Sequence, residues 1–177
     1  MNRELGLIHL YTGEGKGKTT AALGLALRAA GQNVPVVILQ FLKGRPTGEL
    51  ASLERIPQIT LLRGEEGLGF ASAMTPEQRE RCKSRHDQML RLGLAAAREG
   101  RCGLLILDEV TGALNHRLLE EGPLRAYLQN PAPGVELVLT GRNPPDWLLD
   151  RADYVTEMKK LRHPYDRGIT AREGVEF

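Results

Sequence analysis

The segment GLIHLYTGEGKGKTTAALGLALRAAG, residues 6–31, carries three patterns in succession. Gly6–Tyr11 is a short apolar run that reads as a strand. Tyr11-Thr12-Gly13-Glu14-Gly15-Lys16-Gly17-Lys18-Thr19-Thr20 is a glycine-rich turn ending in Lys-Thr. Lys18–Ala30 is rich in Ala and Leu, reads as a helix, and stops at Gly31. A strand, a glycine loop and a helix in that order form the context a phosphate-binding loop requires. Glycines let the backbone curl so that N–H groups turn inward, and the helix N-terminus adds partial positive charge. Lys18 would bring a full charge to the outer phosphates, and the Thr19 hydroxyl could ligate Mg²⁺. Gly13 stands four residues before Gly17, so the spacing is shorter than G-x-x-x-x-G-K-[ST], which would need glycine at Thr12. The competing reading is a glycine-rich turn that merely contains a lysine. The agreement of strand, glycines, Lys-Thr and helix favours the phosphate loop, with Thr12, Gly13, Glu14, Gly15, Lys16, Gly17, Lys18, Thr19 and Thr20 as nucleotide-binding candidates.

Outward from this loop, apolar runs alternate with helical patterns. Val34–Phe41, Gly103–Leu107 and Val135–Thr140 read as strands, Ile59–Leu62 as a weaker one, and Tyr154–Met158 as the last. Strands that are apolar on both faces belong to parallel sheets covered by helices. Thr75-Pro76-Glu77-Gln78 combines a Thr cap, Pro at the first helical position and Gln in the capping-box position. From there Cys82, His86, Met89, Leu90, Gly93 and Ala97 fall on one helical face, with Gly100 as the stop. Shorter helices are expected over Pro123–Gln129 and Asp146–Arg151, the latter seating Trp147 against the sheet. The expected architecture is α/β: one P-loop (RecA-like) domain over residues 1–177, with a mostly parallel central sheet and helices on both faces. Lys43–Met74, with two glycine clusters, is the least regular stretch, and it lies beyond strand ends where open α/β folds bind ligands.

A second chemical signal is Leu104–Leu107 running into Asp108-Glu109. A carboxylate at the end of a buried parallel strand is the Walker-B arrangement, which holds Mg²⁺ directly or through water. A solvated strand end leading into a helix cap is the alternative. Together the two motifs point to nucleoside triphosphate binding, without saying what reaction follows.

Composition narrows the classes. With 177 residues, 41% hydrophobic and 26% charged, the chain is of ordinary globular type and long enough for one domain. Lys+Arg 24 against Asp+Glu 22 gives +2, and one Trp with four Tyr shows no stacking array, so no nucleic-acid role is expected. Cys82 and Cys102 form no CxxC pair and read as buried thiols, and the four histidines are scattered. No apolar run nears the roughly 20 residues that span a bilayer, and no signal peptide precedes the first strand. No membrane association and a cytoplasmic location are the expectation.

Residues and spacing alone leave the reaction open. A RecA-like or kinase-like NTPase acting on the γ-phosphate and a non-enzymatic nucleotide sensor both use such a loop. The ordered set TGEGKGKTTAALGLALRAAG, VVILQFLKG with Gly48-Glu49 after it, Gly69-Phe70, LLILDEV, LVLTGR and the closing Ala152-Asp153…Glu157-Met158…His163-Pro164-Tyr165-Asp166-Arg167-Gly168 resembles the P-loop ATP:corrinoid (cob(I)alamin) adenosyltransferases, the CobA/BtuR/CobO type. The shortened glycine spacing is shared with them, and the similarity runs nearly end to end.

That resemblance implies a chemistry. Co(I) of a reduced corrinoid attacks the 5′-carbon of ATP and displaces inorganic triphosphate, in adenosylcobalamin synthesis or salvage. ATP is the co-substrate, the corrinoid or cobalamin the substrate, and Mg²⁺ (or Mn²⁺) the metal. Lys18 and Glu109 are then catalytic candidates; Thr19, Asp108 and Glu109 are metal candidates; Arg28 and Arg142 join the nucleotide site. Lys43 and Glu49 become candidates for nucleotide or corrin contacts, and Phe70 packs against the corrin face. Where the family often has tryptophan two residues after Gly-Phe, this chain has Ser72, implying a rebuilt corrin wall. The resemblance further implies a homodimer and an electron-donating reductase such as a flavoprotein. Some relatives carry an N-terminal extension that covers a partner's site; the few residues before the first strand here imply closure by other means.

Overall fold

A computed structural model describes residues 6–44, 46–64 and 71–176. Among the described residues there are six strands: β1 Ile8–Thr12, β2 Val36–Gln40, β3 Ile59–Arg63, β4 Leu104–Asp108, β5 Glu136–Thr140 and β6 Tyr154–Glu157. They pair in the order β3-β2-β4-β5-β1-β6, every pairing parallel. All six lie where the hydrophobic runs put them, within two residues. The helices are α1 Lys18–Ala30, α2 Glu49–Leu53, α3 Pro76–Arg98, α4 Val110–Asn115, α5 Glu121–Gln129 and α6 Asp146–Leu149, with 3₁₀ turns at Ala71–Ala73 and Pro164–Arg167. The short helices α2 and α4 carry no periodic signal in the sequence. α2 occupies part of the stretch that reads as irregular.

The period of two along the strands explains the layering. Val36 and Ile38, Leu104 and Ile106, and Val138 point to one face, where they pack with Ala22 and Ala26 of α1 and Leu53 of α2. Val37 and Leu39, Leu105 and Leu107, and Leu137 and Leu139 point to the other. There they meet Met89 and Leu90 of α3, Ala113 of α4, Leu124 and Tyr127 of α5 and Leu148 of α6. Both faces are therefore covered, as the unbroken apolar strands require. Trp147 packs partly buried against this second cluster, with the Arg125 guanidinium 4.5 Å from its ring centroid. Cys82 and Cys102 are both buried, and burial pushes the Cys102 thiol pKa up to about 11.

Capping sets the helix ends. Thr75 Oγ1 accepts the Gln78 N–H at 3.2 Å while the Thr75 N–H donates to Gln78 Oε1 at 2.8 Å, and Pro76 follows. Gly100, left-handed at φ 69°, follows the end of α3. Gly31 ends α1 as expected but stays right-handed at φ −62°; Asn33, at φ 55°, takes the left-handed turn instead.

Gly93 lets α3 approach the sheet. A Cβ there would lie 2.7 Å from Leu39 Cδ1 and 3.3 Å from Leu105 Cδ1. Gly93→Val is expected to destabilise the fold by about 1–3 kcal/mol through overpacking. Chemical denaturation of the variant beside the parent measures this; an unchanged midpoint would show that α3 has room the packing denies.

Candidate active site

The C-terminal ends of the parallel strands gather the chemistry at one end of the sheet. Gly13 (φ 97°) and Gly17 (φ 122°) bend the loop between β1 and α1 through conformations that side chains disfavour. The end of β6 braces it. The Gly15 N–H donates to Met158 O at 2.6 Å, and the Met158 N–H donates to Thr12 O at 2.8 Å. A Cβ on Gly13 or Gly15 would sit 2.6 or 2.5 Å from Met158 O, so the two segments touch only because both positions are glycine. Gly15 thus commits its N–H to this brace.

Lys18 is 7% exposed and folds back over the loop, donating to Gly13 O at 2.6 Å and Gly15 O at 2.8 Å. Burial, then Arg142, lowers its pKa; Glu109, Glu14 and Asp108 oppose the shift. Glu14 to Thr20 line a cavity of about 1200 Å³, whereas Thr12 and Gly13 stand behind the loop, forming the strand end and a carbonyl for Lys18.

Asp108 is the buried centre of the site, 0% exposed at the end of β4. Thr19 Oγ1 donates to it at 2.9 Å, Thr140 Oγ1 at 2.7 Å, Lys43 Nζ at 2.7 Å, and Gln40 Nε2 lies 3.4 Å away. Lys43 Nζ is also 3.1 Å from Thr19 Oγ1. Gln40 Oε1 is buried with no hydrogen-bond partner. Glu109 is held left-handed at φ 59°, its N–H donating to Thr140 Oγ1 at 2.9 Å, and its carboxylate lines the cavity. Burial, then Asp108, raises its pKa. Sequence reading missed Thr140 and Gln40, because only strand adjacency brings them to Asp108.

Arg142 stands at the cavity mouth. Its carbonyl accepts from Thr111 Oγ1 at 2.8 Å and Asn115 Nδ2 at 3.1 Å, and its Nε is 3.3 Å from Glu14 Oε2. Both side chains of that pair are more than half exposed, so its stabilising effect is slight. Gly141 (φ 143°) is required, since a Cβ would fall 2.0 Å from Thr111 Oγ1. Arg28 is not brought here: it lies exposed in the last turn of α1, about 15 Å along the helix from Lys18. Glu49 and Lys43 line the cavity. Ser72 is exposed in the Ala71–Ala73 turn. Phe70 lies outside the described residues.

His86, 1% exposed on α3, was also missed as a site residue. Its Nδ1 lies 2.9 Å from Leu118 O, and its Nε2 accepts the Leu42 N–H at 3.3 Å. That assignment puts the ring proton on Nδ1 and keeps the ring neutral. Desolvation lowers its pKa, with the Leu118 contact opposing. Cys82 Sγ is 3.6 Å from Nε2, but both ring nitrogens are already engaged by the backbone. His86 therefore braces the turn after β2, where Leu42 is left-handed at φ 57°.

Two outcomes are expected. Thr140→Val leaves the Glu109 N–H and one lone pair of Asp108 without a partner, which should cost about 1–3 kcal/mol in denaturation experiments. For His86 the folded pKa lies below its ordinary 6.5, so the unfolded chain binds more protons in between. Its contribution to stability is present above 6.5 and is lost as pH falls through the lower folded value. Denaturation free energy should therefore drop with acidification below 6.5, and less steeply in His86→Gln.

Comparison with known proteins agrees with this geometry. Residues 4–177 match the family described as ATP:corrinoid adenosyltransferase BtuR/CobO/CobP. A corrinoid adenosyltransferase of Pseudomonas aeruginosa is 35% identical over 175 residues, covering 98% of this chain and 85% of that one. One of Sinorhizobium is 34% identical, covering 98% and 81%, and corrinoid adenosyltransferase CobA of Salmonella typhimurium is 33% identical, covering 98% and 87%. With nearly its whole length matched and a phosphate loop facing a buried strand-end carboxylate, the chain belongs to the ATP:corrinoid adenosyltransferase family and is an enzyme of that class.

Proposed function

We propose that the cavity takes ATP with its triphosphate on the loop residues that line it, 14–20, and a reduced corrinoid against the ribose end. The Co(I) electron pair forms a bond to the 5′-carbon of ATP. The C5′–O bond breaks, its electrons leave with inorganic triphosphate, and cobalt is oxidised by two electrons to the alkylated Co(III) product. The nucleophile arrives with the substrate, so the protein's task is positioning and charge stabilisation. The observation that carries this reading is that Lys18 and Thr19 line a cavity of about 1200 Å³, with Thr19 hydrogen-bonded to the buried Asp108 beneath it. That exceeds the roughly 300–1,000 Å³ typical of a pocket for one small ligand.

Lys18 would leave the Gly13 and Gly15 carbonyls for the triphosphate, joined by Lys16, the free loop N–H groups and the N-terminus of α1. Arg142 would add positive charge at the mouth. The site also fits a divalent ion. Its donors are hard oxygens from Thr19 and Asp108, with Glu109 beside them, and an ammonium already bridges the first two. A Mg²⁺ or Mn²⁺ ion held there would neutralise charge on the triphosphate. Glu49 and Phe70 are proposed for the corrin side, with Ser72 in place of a bulkier wall.

Co(I) must be supplied by an electron-donating reductase such as a flavoprotein. A homodimer acting in the cytoplasm completes the reading. Among the described residues no helix is long and apolar enough to cross a membrane.

Incubation with ATP, Mg²⁺ and chemically reduced corrinoid should give the absorbance change of cobalt alkylation and one inorganic triphosphate per alkylation. Phosphate or a phosphorylated acceptor as the product would instead indicate γ-phosphate chemistry. Lys18→Ala should lower kcat/KM for transfer by about 10²–10³-fold. Near-normal transfer in that variant would remove Lys18 from the chemistry.

A further inference from the structure

The buried carboxylate that the proposed function gives to a divalent ion already holds a cation of the protein's own. Lys43 Nζ sits 2.7 Å from Asp108 Oδ2 and 3.1 Å from Thr19 Oγ1, bridging the two groups that would ligate the metal. Its surroundings make this a built contact. Asp108 is 0% exposed, and the Lys43 side chain is 23% exposed, so the ammonium is largely withdrawn from water. The backbone beneath it is pinned. Leu42 is left-handed at φ 57° and its N–H donates to buried His86, while the Phe41 N–H donates to Asp108 O at 2.9 Å. Lys43 also lines the cavity, so its side chain has open space to turn into without moving this anchored turn.

We propose that Lys43 is the resident counter-ion of the Thr19–Asp108 site, that it is exchanged for the divalent ion on loading, and that its released ammonium turns into the cavity toward the incoming phosphates. The inference rests on the reading that Thr19 and Asp108 hold that ion. The charges favour such an exchange. Of the cations near the adjacent carboxylates Asp108 and Glu109, Lys43 is the one bonded to Asp108, while Lys18 and Arg142 act on Glu109 without such a contact. A divalent ion answers both carboxylates, and the phosphates entering with it offer Lys43 a new anionic partner. Without such a plug, the buried Asp108 with the partly buried Glu109 beside it would draw divalent ions in the absence of nucleotide. With it, ion and nucleotide are drawn in together.

Mn²⁺ binding to the nucleotide-free protein, read from loss of the free-ion electron paramagnetic resonance signal, tests this. The parent should bind weakly. Lys43→Met should bind about tenfold more tightly or better, because a positive charge at contact distance is removed. Lys43→Gln should shift in the same direction, and Lys43→Arg should stay near the parent. Asp108→Asn placed on Lys43→Met should abolish the gain. Mn²⁺ without nucleotide should also raise the Tm of Lys43→Met while leaving that of the parent almost unmoved. Unchanged Mn²⁺ affinity in both Lys43→Met and Lys43→Gln, with Asp108→Asn still weakening Mn²⁺ binding in the presence of ATP, would overturn the exchange and leave the metal assignment standing. If Asp108→Asn and Thr19→Ala leave Mn²⁺ binding with ATP unaltered, the metal assignment fails, and the exchange with it.

Discussion

A carboxylate with no access to water governs this site. Removing such a charge from solvent costs several kcal/mol unless hydrogen bonds and opposite charge replace its hydration. Asp108 obtains both from different parts of the chain: Thr19 from the first turn of α1, Thr140 from the end of β5, Lys43 and Gln40 from around the end of β2. β4 lies between β2 and β5, so its last residue is the one place where these three sources meet. The sheet order and the satisfaction of one buried oxygen pair are therefore a single constraint. Thr140 extends it, since the same hydroxyl that donates to Asp108 accepts the N–H of Glu109 and fixes the direction in which that residue leaves the strand.

Around this centre the backbone is held in conformations that cost free energy elsewhere. Leu42 and Glu109 are left-handed without being glycine, and both line the cavity. Gly13, Gly17 and Gly141 take positive φ at the phosphate loop and the turn before Arg142. Strain of this kind persists where surrounding contacts over-determine it. Here those contacts are His86 under Leu42, Thr140 under Glu109, Thr111 against Gly141 and Met158 against the loop glycines. Adenosyl transfer to a metal-centred nucleophile asks the protein to hold two substrates and a leaving group in register. Rigid turns at the ends of parallel strands meet that demand better than mobile loops would.

Much of this was legible from residues alone. Six apolar runs gave six strands because a parallel sheet buries both faces, leaving no polar alternation to confuse the reading. The Thr75–Gln78 capping box, the Gly100 stop and the α1 boundaries follow from local hydrogen-bonding chemistry, which depends on neighbours in sequence. α2 and α4 escaped because helices of five and six residues are too short to show a period, and tertiary packing decides them. Arg28 shows what spacing leaves undisplayed: the helical rise sets it in the last turn of α1, away from the loop at the other end.

The sequence by itself determined the phosphate loop, the strand-end Asp108-Glu109 pair, the α/β class and the family, since each is written in contiguous residues or in their order along the chain. Tertiary structure alone decided which side chains surround Asp108, that Met158 closes against Gly13 and Gly15, and that Lys43 bridges Asp108 and Thr19. Those contacts join residues from 24 to 145 positions apart, and the strand order that brings them together is fixed by how helices cover two apolar faces at once.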